Sequence, residues 1–129
     1  MKIDIILPFR EKFTLSKASA VSTSVKNSIA YSSYKKDTKI YGHFVENPIL
    51  ENNFIGIHTN KLFHLSNNVS LIKNYLKLNQ NNEEKKIIEL HNRPYLLKYL
   101  LKKNVCNPIL LHFHNDPTKM KGSISINER

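Results

Sequence analysis

The chain lacks the features that mark several large classes of protein. It has one cysteine, Cys106, in 129 residues, so it cannot form an internal disulfide, and this usage is typical of a reducing compartment. The apolar run at residues 2–7 is too short for a signal peptide or a spanning helix, and Asp4 interrupts it. Glycine and proline are scarce, at 3 and 5 residues, which favours a folded globular chain over a disordered one. We therefore expect a cytoplasmic protein whose membrane contact, if any, is peripheral.

Several functional signatures are also missing. There is no Gly-x-x-x-x-Gly-Lys-Ser/Thr loop and no Gly-x-Gly-x-x-Gly, so neither a P-loop nucleotidase nor a dehydrogenase is supported. There is no His-Glu-x-x-His spacing and no second cysteine, which argues against a zinc site. The basic residues lie on several predicted elements without a helix-turn-helix signature or an aromatic stacking pattern, which argues against nucleic acid. The sequence thus predicts no metal and no nucleic-acid partner.

Acidic residues are half as numerous as basic ones. Ten Asp and Glu face 20 Lys and Arg, for a formal net charge of +10. Such a balance is compatible with nucleic acid, an anionic membrane surface or an anionic small ligand. Most of the charge is lysine in scattered pairs, which indicates solvated surface. The chain is long enough for one domain with a real core, residues 1–129.

The apolar pattern alternates between strand and helix periods. Strands are predicted at 2–7, 38–41, 86–90 and 109–113, and helices over 18–32, 65–79 and 93–103. Ser16, Ser66 or Asn67, and Asn92 are the predicted N-caps. The segment 43–60 predicts a small edge strand or a hairpin, with short strands at 44–45 and 54–57. This alternation predicts an α/β fold, a Rossmann-like open parallel sheet with helices on both faces.

Similar polar residues follow two of the predicted strands. His91-Asn92-Arg93 follows one strand, and His114-Asn115-Asp116 ends the next. If these parallel strands are neighbours, their carboxyl ends lie within about 5 Å, where open sheets bind ligands. Imidazole, amide and carboxylate groups could together bind a polyhydroxylated ligand, and Arg93 or a helix amino terminus could hold a phosphate.

Simpler interpretations of these residues stay open. Asn92 and Asp116 could be helix caps, and His91 a turn residue. His112 is interpreted as structural, so a metal cluster of His112 with His91, His114 and either Asp116 or Glu89 would require it to leave the core. Cys106 is interpreted as a buried structural thiol at the entry to a strand. His114 is the strongest single candidate.

The chain also resembles a known family. Ile88-Glu89-Leu90-His91-Asn92-Arg93-Pro94, and Leu111-His112-Phe113-His114-Asn115-Asp116-Pro117 followed by Met120-Lys121-Gly122, resemble the amino-terminal domain of a family 4 glycosyltransferase. These are retaining enzymes of the two-domain GT-B architecture, and the motif pair is similar to a bacterial branch that acts on cell-surface saccharides. The resemblance spans essentially the whole chain, but only the two His-Asn motifs are specific.

The resemblance implies a division of labour between two domains. The amino-terminal domain mainly binds the acceptor, whereas the carboxyl-terminal domain holds a nucleotide-diphosphate sugar and carries a Glu-x7-Glu pair, which is absent here. The segment 123–129 begins a helix-like pattern without a terminating signal, so we expect an incomplete domain at the front of a longer protein, inactive alone. The alternative is a non-catalytic, flavodoxin-like binding or interaction module.

The resemblance also implies residue roles. His114 would approach the transferred sugar as the catalytic candidate. The substrate-binding candidates are His91, Asn92, Arg93, Asn115 and Asp116. The loop after the first strand approaches the donor phosphates, and here it is Ser16, Lys17, Ala18 and Ser19, without the usual glycine. No cofactor or metal is expected, and the excess of lysine would favour peripheral contact with an anionic membrane.

Overall fold

A computed structural model of the chain describes residues 1–59, 66–82 and 84–116. Its centre is a five-stranded sheet in which all neighbouring strands are parallel, with the order β3-β2-β1-β4-β5. The strands are β1 Lys2–Ile6, β2 Thr38–His43, β3 Phe54–Ile57, β4 Lys86–His91 and β5 Ile109–His112. The helices are α1 Ala20–Ala30, α2 Asn67–Leu78 and α3 Pro94–Lys102. The predicted Rossmann-like open sheet is confirmed.

Alternation along the central strands places two apolar cores on the two faces of the sheet. Ile5 and Leu7 pack with Val21 and Val25 of α1 on one face. Ile6 of β1 joins residues of α2 and α3 on the other. Each fully buried side chain of this kind contributes about 1.5–3 kcal/mol. Helices therefore cover both faces, as the sequence predicts.

The α1 face is only partly covered over β4 and β5. Glu89 pairs with Ile5 and with Leu110, so all three point to the α1 face. Ile5 is buried there, but Leu110 is 47% exposed. The α1-facing side chains of β5 are therefore reachable from solvent, whereas His91 of β4 is buried.

The start of α1 differs from the prediction. Residues 15–17 form a short 3-10 turn, and the helix begins at Ala20, with Ser19 rather than Ser16 as its N-cap. The Ser19 side chain accepts a hydrogen bond from the Ser22 N–H at 3.1 Å. For α2, Ser66 is confirmed as the N-cap because its side chain accepts from the Val69 N–H.

The predicted edge element is a strand and not a hairpin. Phe54–Ile57 pairs parallel with β2 at the edge of the sheet. Phe44 lies outside β2, although its N–H still donates to the Ile57 carbonyl at 3.1 Å. Cys106 is exposed, so its predicted burial is wrong. Leu65, Pro117, Met120–Gly122 and the helix-like segment 123–129 lie outside the described residues.

None of the helices in residues 1–59, 66–82 and 84–116 combines the length and the apolar content that crossing a bilayer requires.

The α2 side of the sheet holds a buried ion pair. Asp4 and Lys86 are 4% and 5% exposed, and the Lys86 Nζ lies 2.9 Å from Asp4 Oδ2. The Tyr75 hydroxyl donates to the same oxygen at 2.8 Å, and Lys86 also donates to Asn79. Burial, followed by the Asp4 charge, raises the pKa of Tyr75 far above its ordinary value, so its hydroxyl stays a donor.

This ion pair supports a stability prediction. Lys86→Ala leaves the Asp4 carboxylate buried without its cation, which should lower the free energy of unfolding by about 3–5 kcal/mol. The exposed neighbour Lys85 is the matched control, and Lys85→Ala should change it by less than about 0.5 kcal/mol. Urea denaturation of the three proteins measures the difference. Equal midpoints for the two variants would contradict the buried pairing.

Candidate functional site

The two histidine-bearing strand ends lie side by side. His91 is the last residue of β4 and pairs in register with His112 of β5. The His91 Nδ1 lies 2.7 Å from the Nε2 of His114. The convergence expected from the sequence is therefore present in the fold, at the carboxyl edge of the sheet.

Asn92 ties these ends together. Its N–H donates to the His112 carbonyl at 2.9 Å, and its Oδ1 accepts from the His114 N–H at 2.8 Å. Its φ of 51° lies in the left-handed region, which asparagine tolerates better than most residues. The predicted N-cap role is wrong, because Arg93 occupies the N-cap position of α3. Asn92 is a structural link across the site, and only 6% of it is exposed.

Glu89 belongs to the site, although the sequence indicated it only as an optional member of a disfavoured metal cluster. Its Oε1 lies 2.8 Å from the Nε2 of His91. Burial raises the pKa of Glu89, but the hydrogen bond from His91 and the positive charges of His112, His91 and His114 outweigh burial and hold the pKa below its usual value. An ionised carboxylate only accepts hydrogen bonds, so His91 donates to it from Nε2. When His91 carries that proton alone, its Nδ1 accepts from the Nε2–H of His114. Glu89, His91 and His114 thus form one hydrogen-bonded chain.

His112 lies at the surface and not in the core. Its side chain is 44% exposed, and its Nε2 lies 3.6 Å from Glu89 Oε1. The His91 ring lies between those of His112 and His114, at centroid distances of 5.1 and 5.0 Å. The core position predicted for His112 is therefore wrong, and the argument against a metal assumed that position. Glu89, His91 and His112 place their ligand atoms within 4.8 Å of one another.

The loop after β1 brings a second acid near this cluster. Burial, followed by the charges of His91 and His112, lowers the pKa of His114, whereas Glu11 and Glu89 oppose that shift. Glu11 also accepts a hydrogen bond from the Ser19 hydroxyl. The site therefore adjoins the point between β1 and β4 where the strand order reverses, which is the usual ligand crevice of such sheets. Sequence analysis missed Glu11 because nothing in its own segment marks it.

The predicted phosphate loop lies in a different depression. Ser16 and Lys17 line an open cavity of about 320 Å³ together with Lys12, whereas Ala18 is exposed and Ser19 caps α1. This cavity is lined by none of the strand-end histidines. The donor-loop candidates and the histidine cluster therefore form two neighbouring features and not one pocket.

The other predicted residues lie at the rim. Asn115 and Asp116 follow β5 and are exposed. Arg93 is half-buried, and its Nη1 donates to the Asn92 carbonyl at 2.7 Å. A larger cavity of about 580 Å³ lies near Met1 and Cys106 at the amino ends of the strands, but it contains none of the predicted site residues. We place the candidate site at the carboxyl edge because the ionisable groups converge there.

The low pKa of His114 supports a titration prediction. Its midpoint should fall below the ordinary value of 6.5. The folded chain binds this proton less readily than the unfolded chain. The contribution of neutral His114 to the free energy of unfolding is therefore present above pH 6.5 and is lost as the pH falls through the His114 midpoint of the folded chain. His112→Ala removes one neighbouring cation and should raise the midpoint, whereas His58→Ala should not. Ring-proton NMR measures each titration, and a midpoint above 6.5 in the parent chain would contradict the described surroundings.

Comparisons with protein-family models, curated proteins and solved structures find no match for the chain. The functional interpretation therefore rests on the geometry of Glu89, His91, Asn92, His112 and His114 and on the sequence motifs that contain them.

Proposed function

We propose that the chain is the amino-terminal, acceptor-side domain of a retaining glycosyltransferase of the GT-B architecture. The enzyme would transfer a sugar from a nucleotide-diphosphate sugar to a cell-surface saccharide or a lipid-linked acceptor. The observation that carries the proposal is the meeting of the two His-Asn strand ends, with His91 Nδ1 and His114 Nε2 2.7 Å apart. They meet at the carboxyl edge of a Rossmann-like sheet, where such folds bind ligands.

His114 is the group proposed to touch the transferred sugar. Its lowered pKa keeps the ring neutral at physiological pH. When its Nε2–H donates to His91, the remaining nitrogen, Nδ1, is an acceptor for a sugar hydroxyl. Glu89 and His91 would fix the orientation of the His114 ring. Because Glu89 accepts from His91 and His91 accepts from His114, the tautomer of His114 with its proton on Nε2 is favoured.

The other predicted residues divide into positioning and binding roles. Asn92 positions His114 through its side chain, so its proposed contact with substrate is indirect. Arg93 provides a guanidinium beside the cluster, and Asn115 and Asp116 supply polar groups at the exposed rim. Such groups suit a ligand with many hydroxyls, which both donate and accept hydrogen bonds.

The donor phosphates are assigned to the loop before α1. Lys12 and Lys17 line the same cavity as Ser16, and their cations suit a diphosphate. In the expected full enzyme, a second domain with the Glu-x7-Glu pair would hold the nucleotide-sugar against this edge. The formal charge of +10 favours a place at the cytoplasmic face of an anionic membrane, where a lipid-linked acceptor is presented.

A transfer assay on the complete gene product tests this function. Nucleoside diphosphate release would be measured for a panel of nucleotide sugars, with and without saccharide and lipid-linked acceptors. His114→Ala should lower kcat by about 10²–10⁴-fold, the usual contribution of a proton-transferring or hydroxyl-binding imidazole. His58→Ala changes an exposed histidine after β3, at the opposite edge of the sheet, and should leave kcat unchanged.

The outcomes separate this proposal from a binding or interaction module. Transfer that requires His114 supports a glycosyltransferase. Equal kcat in His114→Ala and the parent enzyme would remove His114 from the reaction. Absence of acceptor-dependent release with every donor, from a protein with a cooperative thermal transition, would contradict the proposed activity and favour a module in which the strand ends are structural.

A further inference from the structure

We propose that Glu89, His91 and His112 form a binding site for one divalent transition-metal ion of the zinc type. They supply one carboxylate oxygen and two imidazole nitrogens, a set that suits zinc and other first-row transition ions. Their three ligand atoms lie within 4.8 Å of one another without any ion present. The site does not rest on the proposed sugar transfer, since it follows from the donor geometry alone.

The strand geometry explains why these side chains converge. Glu89 and His91 are two positions apart on β4, so both point to the α1 face. His112 is the direct partner of His91 on β5, and side chains of paired residues lie on the same face of a sheet. Neighbouring strands therefore present the three ligands as one cluster, without any contribution from a flexible loop.

Two of the three ligand–ligand distances are close to those of an occupied site. Metal–ligand bonds of about 2.0–2.1 Å in tetrahedral geometry place ligand atoms about 3.4 Å apart. Glu89 Oε1 lies 2.8 Å from His91 Nε2 and 3.6 Å from His112 Nε2. The hydrogen bond between Glu89 and His91 would open by a few tenths of an ångström as the ion replaces its proton. His112 is 44% exposed, so its ring can adjust with little cost in packing.

The surroundings resemble those of an open metal site. His91 already carries a partner on its other nitrogen, His114 at 2.7 Å, and such a partner orients a ligating imidazole. A cavity of about 110 Å³ adjoins all three ligands and is lined on the other side by Ser24 and Ser28 of α1. Three protein ligands beside a small cavity leave one position for water or for a substrate oxygen.

Binding would reverse the hydrogen bond between the two histidines. In the metal-free chain, His91 Nε2 donates to Glu89, and His91 Nδ1 accepts from His114. An ion on His91 Nε2 would displace that proton to solvent. The Nε2 proton of His114 would then pass to His91 Nδ1, and His114 would take up one proton from solvent at its own Nδ1, so that His91 Nδ1–H donates to His114 Nε2. The ion would thereby change His114 from a donor to an acceptor at this atom.

Cobalt titration of the chelator-treated chain tests the site directly, because Co²⁺ reports its ligands through visible absorption bands. One equivalent of Co²⁺ should bind, and Zn²⁺ should displace it. His112→Ala and Glu89→Gln should each weaken binding at least tenfold. His114→Ala should weaken it about 10–100-fold, the usual effect of removing an outer hydrogen-bond partner. His58→Ala should bind like the parent chain.

The contradicting outcomes are equally specific. Co²⁺ affinity in His112→Ala equal to that of the parent chain, or affinity lost in His58→Ala, would place the ion on other histidines and overturn the site. No saturable binding to the folded parent chain would do the same. Circular dichroism of each variant confirms folding, and Glu89→Gln preserves shape, so a loss in that variant reports the ligand itself.

Discussion

The candidate site depends on the parallel register between β4 and β5. That register pairs His91 with His112, and it places the residue two positions later, His114, against the other nitrogen of His91. Asn92 locks the arrangement, because its backbone and side chain both bond to the β5 end. A shift of the β5 register by one residue would turn its histidines to the opposite face of the sheet. The histidine cluster therefore forms only with this pairing of β4 and β5.

Electrostatics then sets what the cluster can do. Burial, followed by the charges of His91 and His112, lowers the pKa of His114, and the His91 ring centroid lies near 5 Å from each of the other two. The ionised Glu89 compensates by accepting from His91. The two proposals use different atoms of this cluster: a sugar hydroxyl would bind His114 Nδ1, whereas a metal ion would bind Glu89, His91 and His112. The buried Asp4–Lys86 pair lies on the other face, so the sheet separates this ion pair from the histidine cluster.

Much of this arrangement could be predicted from the sequence, because strand and helix periods and the His-Asn repeats are local signals. These local signals predict the Rossmann-like fold, the parallel pairing of β4 and β5 and the adjacency of His91 and His114. The role of Asn92 could not be predicted, since its partners His112 and His114 lie 20 and 22 residues away in sequence. The exposure of His112 also escaped prediction. Alternation assigns a strand residue to a face, but whether a helix covers that face is decided by tertiary packing.

Two smaller differences have the same origin. Ser16 and Ser19 are equally good caps by residue type, and the choice between them follows from the 3-10 turn at residues 15–17. Glu11 reaches the site only because the loop after β1 folds back to bond Ser19. In both cases a loop conformation sets the position of the side chain, and apolar periodicity does not predict loop conformations.

The central claim is that Glu89, His91 and His114 form one hydrogen-bonded chain across two strand ends. The most direct measurement is a long-range ¹H–¹⁵N correlation spectrum of the histidine rings in the metal-free chain at neutral pH. The account predicts that His91 is protonated at Nε2 and unprotonated at Nδ1, and that His114 is protonated at Nε2. A His91 ring protonated at Nδ1, or one that averages between tautomers as a free imidazole does, would contradict it.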